Sequence, residues 1–180
     1  NGFESDNDAS GSGNSPLTTP VFSNVTLIGP LYGNSVGKAD AEILYNTTDA
    51  ANGAKGGQSQ CAMHIRRNSA LQVHNSVFTG WPYGLFLDKA NSAAAVKNVV
   101  FAGMWKEAKD DASASYFLTA GLGNSSFAST NDVIKTNGLY SSVDAAKVAG
   151  ASFTDAAISD SFFTKVNYKG ACDGTNDWTA

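Results

Sequence analysis

Apolar residues recur along this chain in short bursts of strand length. Asn24-Val25-Thr26-Leu27-Ile28-Gly29, Asn75-Ser76-Val77-Phe78-Thr79-Gly80, Asn98-Val99-Val100-Phe101-Ala102-Gly103 and the degraded Asp160-Ser161-Phe162-Phe163-Thr164-Lys165 share one texture. A polar amide or acid comes first, apolar residues then alternate with small ones, and glycine usually ends the run. Asn124-Ser125-Ser126-Phe127-Ala128 is a fifth echo. Imperfect repeats of this kind predict a solenoid, in which one coil stacks on the next. Asn75 and Asn98 stand 23 residues apart, a plausible coil length. That offset predicts Phe78 over Phe101, Val77 over Val100, and Asn75 over Asn98 as an amide ladder at a corner. The 51 residues from Asn24 to Asn75 read as two coils plus part of an excursion.

Between the repeats the pattern predicts a strand over 21–29, ended by Pro30, and a short one over 42–45 inside a polar excursion at about 30–60. Residues 62–67, 71–81 and 84–88 read as three strands with corners at Asn68-Ser69 and Trp81-Pro82-Tyr83. Residues 96–105 then repeat the Asn75 segment. A second excursion at about 105–150 opens with an exposed loop or helical turn over 106–120. It holds a short helix over 142–149, capped by Ser141 or Ser142, with Asp144 in its first turn. A last strand is expected over 162–168. The fold class these elements define is all-β, a right-handed parallel β-helix, with residues 1–180 as a single domain. An antiparallel sandwich competes, but no Asn-Gly or Asp-Gly joins two adjacent apolar runs as its hairpins require.

Composition narrows the function. Only 16% of the residues are charged, and Asn, Ser, Thr, Gly and Ala supply most of the polar surface, which suits a turn-rich secreted or cell-surface protein. A net charge of −4, with Arg66-Arg67 as the sole basic pair, argues against a nucleic-acid partner. No stretch reaches the roughly 20 apolar residues of a transmembrane helix. The chain opens on Asn1 in a polar run and is expected to be a piece of something longer. Cys61 and Cys172 are either a disulfide or two separate thiols, and the sequence leaves both open.

Asp6-Asn7-Asp8-Ala9-Ser10-Gly11 matches the first half of a calcium loop, with alternate oxygens on a concave side and glycine at the sharp turn. Leu17 stands where the closing bidentate acid belongs, so the candidate metal set is Asp6, Asp8 and Ser10 completed by Glu4. Glu4, Asp6 and Asp8 are also alternate residues, which an extended strand projects to one side. With His64 and Arg66 they form a candidate catalytic set for an acidic polysaccharide. Arg67, adjacent to Arg66, is expected to face the other way. The bland alternative makes His64 a satisfied corner residue and the arginines inter-coil ties. Trp81, Tyr83, Trp105 and Tyr116 are candidate sugar-stacking aromatics, Trp105 the best exposed.

The segments Asn1-Gly2-Phe3-Glu4-Ser5-Asp6-Asn7-Asp8, Val21-Phe22-Ser23-Asn24-Val25-Thr26-Leu27-Ile28-Gly29-Pro30, His64-Ile65-Arg66-Arg67-Asn68 and Asn75 through Leu85 resemble a family of large secreted or surface proteins of Bacteroidetes. The tail Asn176-Asp177-Trp178-Thr179-Ala180 is similar to that family's signature near the end of its repeats. The resemblance implies a right-handed parallel β-helix, often with a type IX secretion sorting domain, and this chain as its C-terminal repeat region. It implies no established activity. The leading expectation is a non-catalytic module of adhesion, scaffold or surface-layer type, stabilised by calcium, whose partner is a surface glycan or a neighbouring chain. One alternative is a polysaccharide lyase or hydrolase using the acidic cluster. The other is a self-assembling subunit joined through its coil ends.

Overall fold

The computed structural model describes residues 1–31, 36–46, 59–135 and 143–175, the side chains of 43–46 excepted. The turn signals at Asn34, Thr47-Thr48, Asn52-Gly53 and Gly56-Gly57, the Ser141/Ser142 cap and the 176–180 signature lie outside the described residues. Eleven short strands are described: β1 (Phe3–Ser5), β2 (Val21–Ser23), β3 (Thr26–Ile28), β4 (Cys61–Arg66), β5 (Gln72–His74), β6 (Val77–Thr79), β7 (Tyr83–Asp88), β8 (Ala95–Lys97), β9 (Val100–Ala102), β10 (Lys106–Ala108) and β11 (Ser125–Phe127). Helices α1 (Lys38–Asn46), α2 (Asp111–Phe117) and α3 (Ala145–Val148), with a 3-10 turn at Thr130–Asp132, complete the described elements.

The strands build three parallel sheets. The first runs β1-β4-β7-β10, the second β2-β5-β8, the third β3-β6-β9-β11. The chain visits first, second and third sheet in turn through three circuits and begins a fourth. Val77 pairs with Val100 and Phe78 with Phe101, as the 23-residue offset predicts. The 51-residue offset has another meaning. Thr26 pairs directly with Val77, so those residues are one circuit carrying an insertion, with no further coil between. Within that insertion, residues 42–45 are helical, part of α1, where a strand was expected.

Corners explain why the apolar runs break. Residues 71–81 and 96–105 each look like one strand but form two, because Asn75 (φ 47°) and Asn98 (φ 58°) turn the chain. Asn24 (φ 58°) does the same before β3. The left-handed region disfavours most side chains, and asparagine enters it more readily than any apolar residue present. Gly80 (φ 69°) and Gly103 (φ 65°) serve the next corner for the same reason.

Between the sheets lies a core that includes Met63, Ile65, Leu71, Val73, Phe78, Val96 and Phe101. Phe78 meets Phe101 edge-on at 5.9 Å, and Phe101 stacks on Phe117 of α2 at 4.4 Å. Each phenylalanine buried here contributes on the order of 2 kcal/mol. The third sheet is buried on its outer face as well. Val77, Val100 and Ala102 pack there against Val133, Ile134 and Val148 from the C-terminal segment. Sheets covered on both faces read as continuous apolar runs, which is the pattern the repeats show.

Residues 105–150 are therefore not simply an excursion. β10 and β11 extend the first and third sheets, and α2 packs inward with Phe117 fully buried. The short helix begins at Ala145, and Asp144 is its cap, accepting from the Ala146 N–H at 3.0 Å. No strand forms over 162–168. Asp160 instead holds a turn by accepting from the Phe162 N–H, Phe162 is exposed, and Tyr168 makes one antiparallel bridge to Ala149.

Candidate functional site

The expected acidic cluster sits where β1 meets β4. Glu4 pairs in register with His64, and Arg66 lies two residues on. Arg66 Nη1 donates to Glu4 Oε1 at 3.0 Å, and its Nε stands 3.0 Å from Asp6 Oδ1, off the line of a hydrogen bond and so an ion pair. Arg67 reaches Asp6 too, Nη1 donating to Oδ2 at 3.4 Å. Both arginines join one carboxylate although they are adjacent. β4 ends at Arg66 and Arg67 takes φ 48°, so strand alternation no longer separates them. Glu4 is held below the usual carboxylate range, first by the Asn1 amide at 2.8 Å and then by Arg66.

Asp8 does not continue this row. It lies in a turn beyond β1, where Oδ1 accepts from the Ser10 N–H and hydroxyl at 2.8 Å and from the Ser12 N–H at 3.1 Å. Oδ2 accepts from the Ser12 hydroxyl. These donors push its pKa well down, the Ser12 hydroxyl contributing most. Asp6 faces arginines while Asp8 is filled by serines. Of the expected calcium donors, Ser10 donates its hydroxyl to Asp8 and Asp6 and Glu4 lie against Arg66. Among the described residues no three His, Cys, Asp or Glu side chains are grouped to hold a metal ion.

His64 stacks on Phe86 at 4.7 Å with Nε2 3.5 Å from Asp88 Oδ2. Burial, aided by the Arg66 charge, pushes its pKa down. Trp81, Tyr83 and Tyr116 are taken up in packing. Trp81 and Tyr83 are buried, and the Tyr116 hydroxyl accepts from the Val96 N–H at 3.0 Å. Trp105 is half-buried, edge-on to Tyr83 at 5.3 Å with Lys106 Nζ 4.8 Å from its ring centre. Cys61 and Cys172 are buried thiols with no disulfide between them, and burial pushes Cys61 up to about 12.

The corner asparagines do more than turn the chain. Asn98 Nδ2 donates to Asn75 Oδ1 at 2.7 Å, so the expected ladder forms. Its members also grip the C-terminal segment. Asn24 Nδ2 donates to Tyr168 O, Asn75 exchanges two bonds with the Ser152 backbone, and Asn98 Nδ2 donates to Gly150 O. Asn124 ends the row, its Oδ1 accepting from the Val99 N–H at 2.9 Å. A second, unexpected ladder stands at another corner, where Asn91 Nδ2 donates to Asn68 Oδ1 at 2.8 Å.

Beside the first ladder a groove of about 660 Å³ opens between the second sheet, the 120–123 loop and the 152–155 segment. His74 and Lys97, register partners on β5 and β8, line it, and Lys97 Nζ donates to Asp155 Oδ2 at 2.6 Å. Asp155 is held low, chiefly by that bond and then by the Ala157 N–H on Oδ1 at 3.0 Å. His74 is buried and pushed down by burial. None of these three was a sequence candidate. The signal lay in the repeat itself, where the residues before Asn24, Asn75 and Asn98 are Ser23, His74 and Lys97, all polar. Asp155, far along the chain, carries no such mark. No protein-family model, curated protein or solved structure matches this chain.

Proposed function

We propose that the three circuits form a right-handed parallel β-helix serving as a non-catalytic secreted or cell-surface module of adhesion or scaffold type. Support for the winding comes from the cyclic visiting of three parallel sheets and from the strong preference of parallel crossovers for the right hand. One observation carries the function. The carboxylates expected to do chemistry, Glu4 and Asp6, bind arginines of the next circuit, and Asp8 holds its own turn. In this reading they are ties between circuits. Exposed pairs of this kind contribute little singly, typically below about 1 kcal/mol, but several together fix register.

The test is incubation of the folded chain with pectate, alginate and heparin, followed by reducing-end and unsaturated-uronate assays. No turnover is expected. Turnover that Glu4→Gln or Asp6→Asn abolishes would replace this proposal with the lyase or hydrolase one. A melt in millimolar calcium and in EGTA is expected to give one curve, because donors already fill Asp8. A calcium-dependent rise lost in Asp6→Ala/Asp8→Ala would restore the metal site.

A further inference from the structure

We propose that the groove beside the Asn75–Asn98 ladder is a binding site for one residue of a neutral saccharide, read by Lys97, Asp155 and the Ser152/Thr154 hydroxyls. The assignment takes its partner class from the surface-module reading and its place from the groove alone.

Size comes first. About 660 Å³ falls within the roughly 300–1,000 Å³ of small-molecule sites. Rigidity follows from the scaffold. Lys97 projects from β8 in register with His74 of β5, and Asp155 is fixed from behind by the Ala157 N–H. Polar groups held by strands and backbone bonds are positioned before a ligand arrives.

The donor and acceptor pattern sets the class. Lysine carries three ammonium protons, and one is directed to Asp155 Oδ2. Asp155 is acceptor-only when ionised. A sugar hydroxyl both donates and accepts, so two vicinal hydroxyls can accept a hydrogen bond from Lys97 and donate one to Asp155. Ser152 Oγ and Thr154 Oγ1 lie 3.1 Å apart, where a further hydroxyl can join them. Ala120 and Leu122 supply an apolar wall for ring C–H groups.

Charge argues for a neutral ligand. Lys97 and Asp155 cancel at 2.6 Å. A phosphate or uronate would have to compete with Asp155 for Lys97 while facing the same carboxylate. His74, uncharged because it is buried, offers no compensating cation.

Ligand-observed saturation-transfer NMR with mannotetraose, cellotetraose, chitotetraose and galactotetraose tests this on the whole chain, with galacturonate and inorganic phosphate alongside. Saturation transfer to at least one neutral oligosaccharide is expected, weakened tenfold or more in Lys97→Gln and in Asp155→Asn and unchanged in Glu107→Gln on the first sheet. Should those variants misfold, amide shift mapping of the native chain answers the same question, since Gly121, Gly123 and Ser152 are expected to move with added sugar. The assignment falls if no neutral sugar gives transfer, if only the anions bind, or if the shifts lie elsewhere. Cleavage of a bound oligosaccharide would keep the site and sink the non-catalytic reading. Absence of binding would sink the site and leave that reading standing.

Discussion

The two ends of the strand stack are finished differently. Beyond β9 and β10, α2 closes the core. Phe117 lies flat on Phe101, its ring 10° from parallel. Ser113 Oγ accepts from the Leu87 N–H at 2.9 Å and the Tyr116 hydroxyl from the Val96 N–H. The helix thus supplies an aromatic plug and two hydroxyl acceptors for edge amides that a further strand would otherwise satisfy. At the first circuit, β1, β2 and β3 each pair with a strand on one side only among the described residues. Phe3 there packs on Phe22 at 4.9 Å, and Phe22 is 38% exposed. Closing a strand stack requires backbone satisfaction as well as apolar cover, and α2 delivers both.

The contrast can be broken most severely at Phe117. Phe117→Ala is expected to cost about 3–5 kcal/mol by opening a cavity over Phe101, whereas Phe22→Ala costs at most about 1. Urea denaturation of the two variants measures this, and equal losses would refute the difference between the ends. Ser113→Ala leaves the Leu87 N–H without its acceptor, at about 1–3 kcal/mol. Native-state hydrogen exchange at Leu87 should then quicken more than at Val96. Asp110, which caps α2 by accepting from the Ser113 N–H, contributes about 1 kcal/mol, readable as a lower melting temperature in Asp110→Ala.

The smallest effect is electrostatic. His64 titrates below its ordinary 6.5 because it is buried. The unfolded chain therefore binds that proton at higher pH than the folded one. Stability from this group is complete above about 6.5 and is lost as pH falls below it. His74 behaves likewise. Glu4 and Asp155, depressed from 4.5 and 3.8, withdraw a second share at lower pH. Melting temperature is expected to decline from about pH 7 to pH 5, with a shallower slope in His64→Asn/His74→Asn. A flat wild-type profile would contradict the assignment.

Much of the fold was legible because pairing conserves spacing. Once Asn75 and Asn98 are aligned, the Phe78–Phe101 and Val77–Val100 columns follow. The insertion between β3 and β4 defeated the same logic, since sequence spacing counts residues and not circuits. Residues 71–81 hid a corner because a third sheet buried on both faces leaves no alternation to read around Asn75. The groove was less legible. Its walls come from β5 and β8, from the 120–123 loop and from residues 152–155, which are joined by no local pattern, and Val133, Ile134 and Val148 are too sparse to announce a covering segment.

That covering segment has a consequence for synthesis. A ribosome makes β6 and β9 well before residues 133–170 are complete, yet those residues bury Val77, Val100 and Ala102 and occupy the side chains of Asn24, Asn75 and Asn98. At about 5–20 residues per second, the nascent chain presents an apolar strip for some seconds before its cover exists. The order in which the gene is read thus makes the middle of this protein adhesive for a moment, and its last quarter ends that interval.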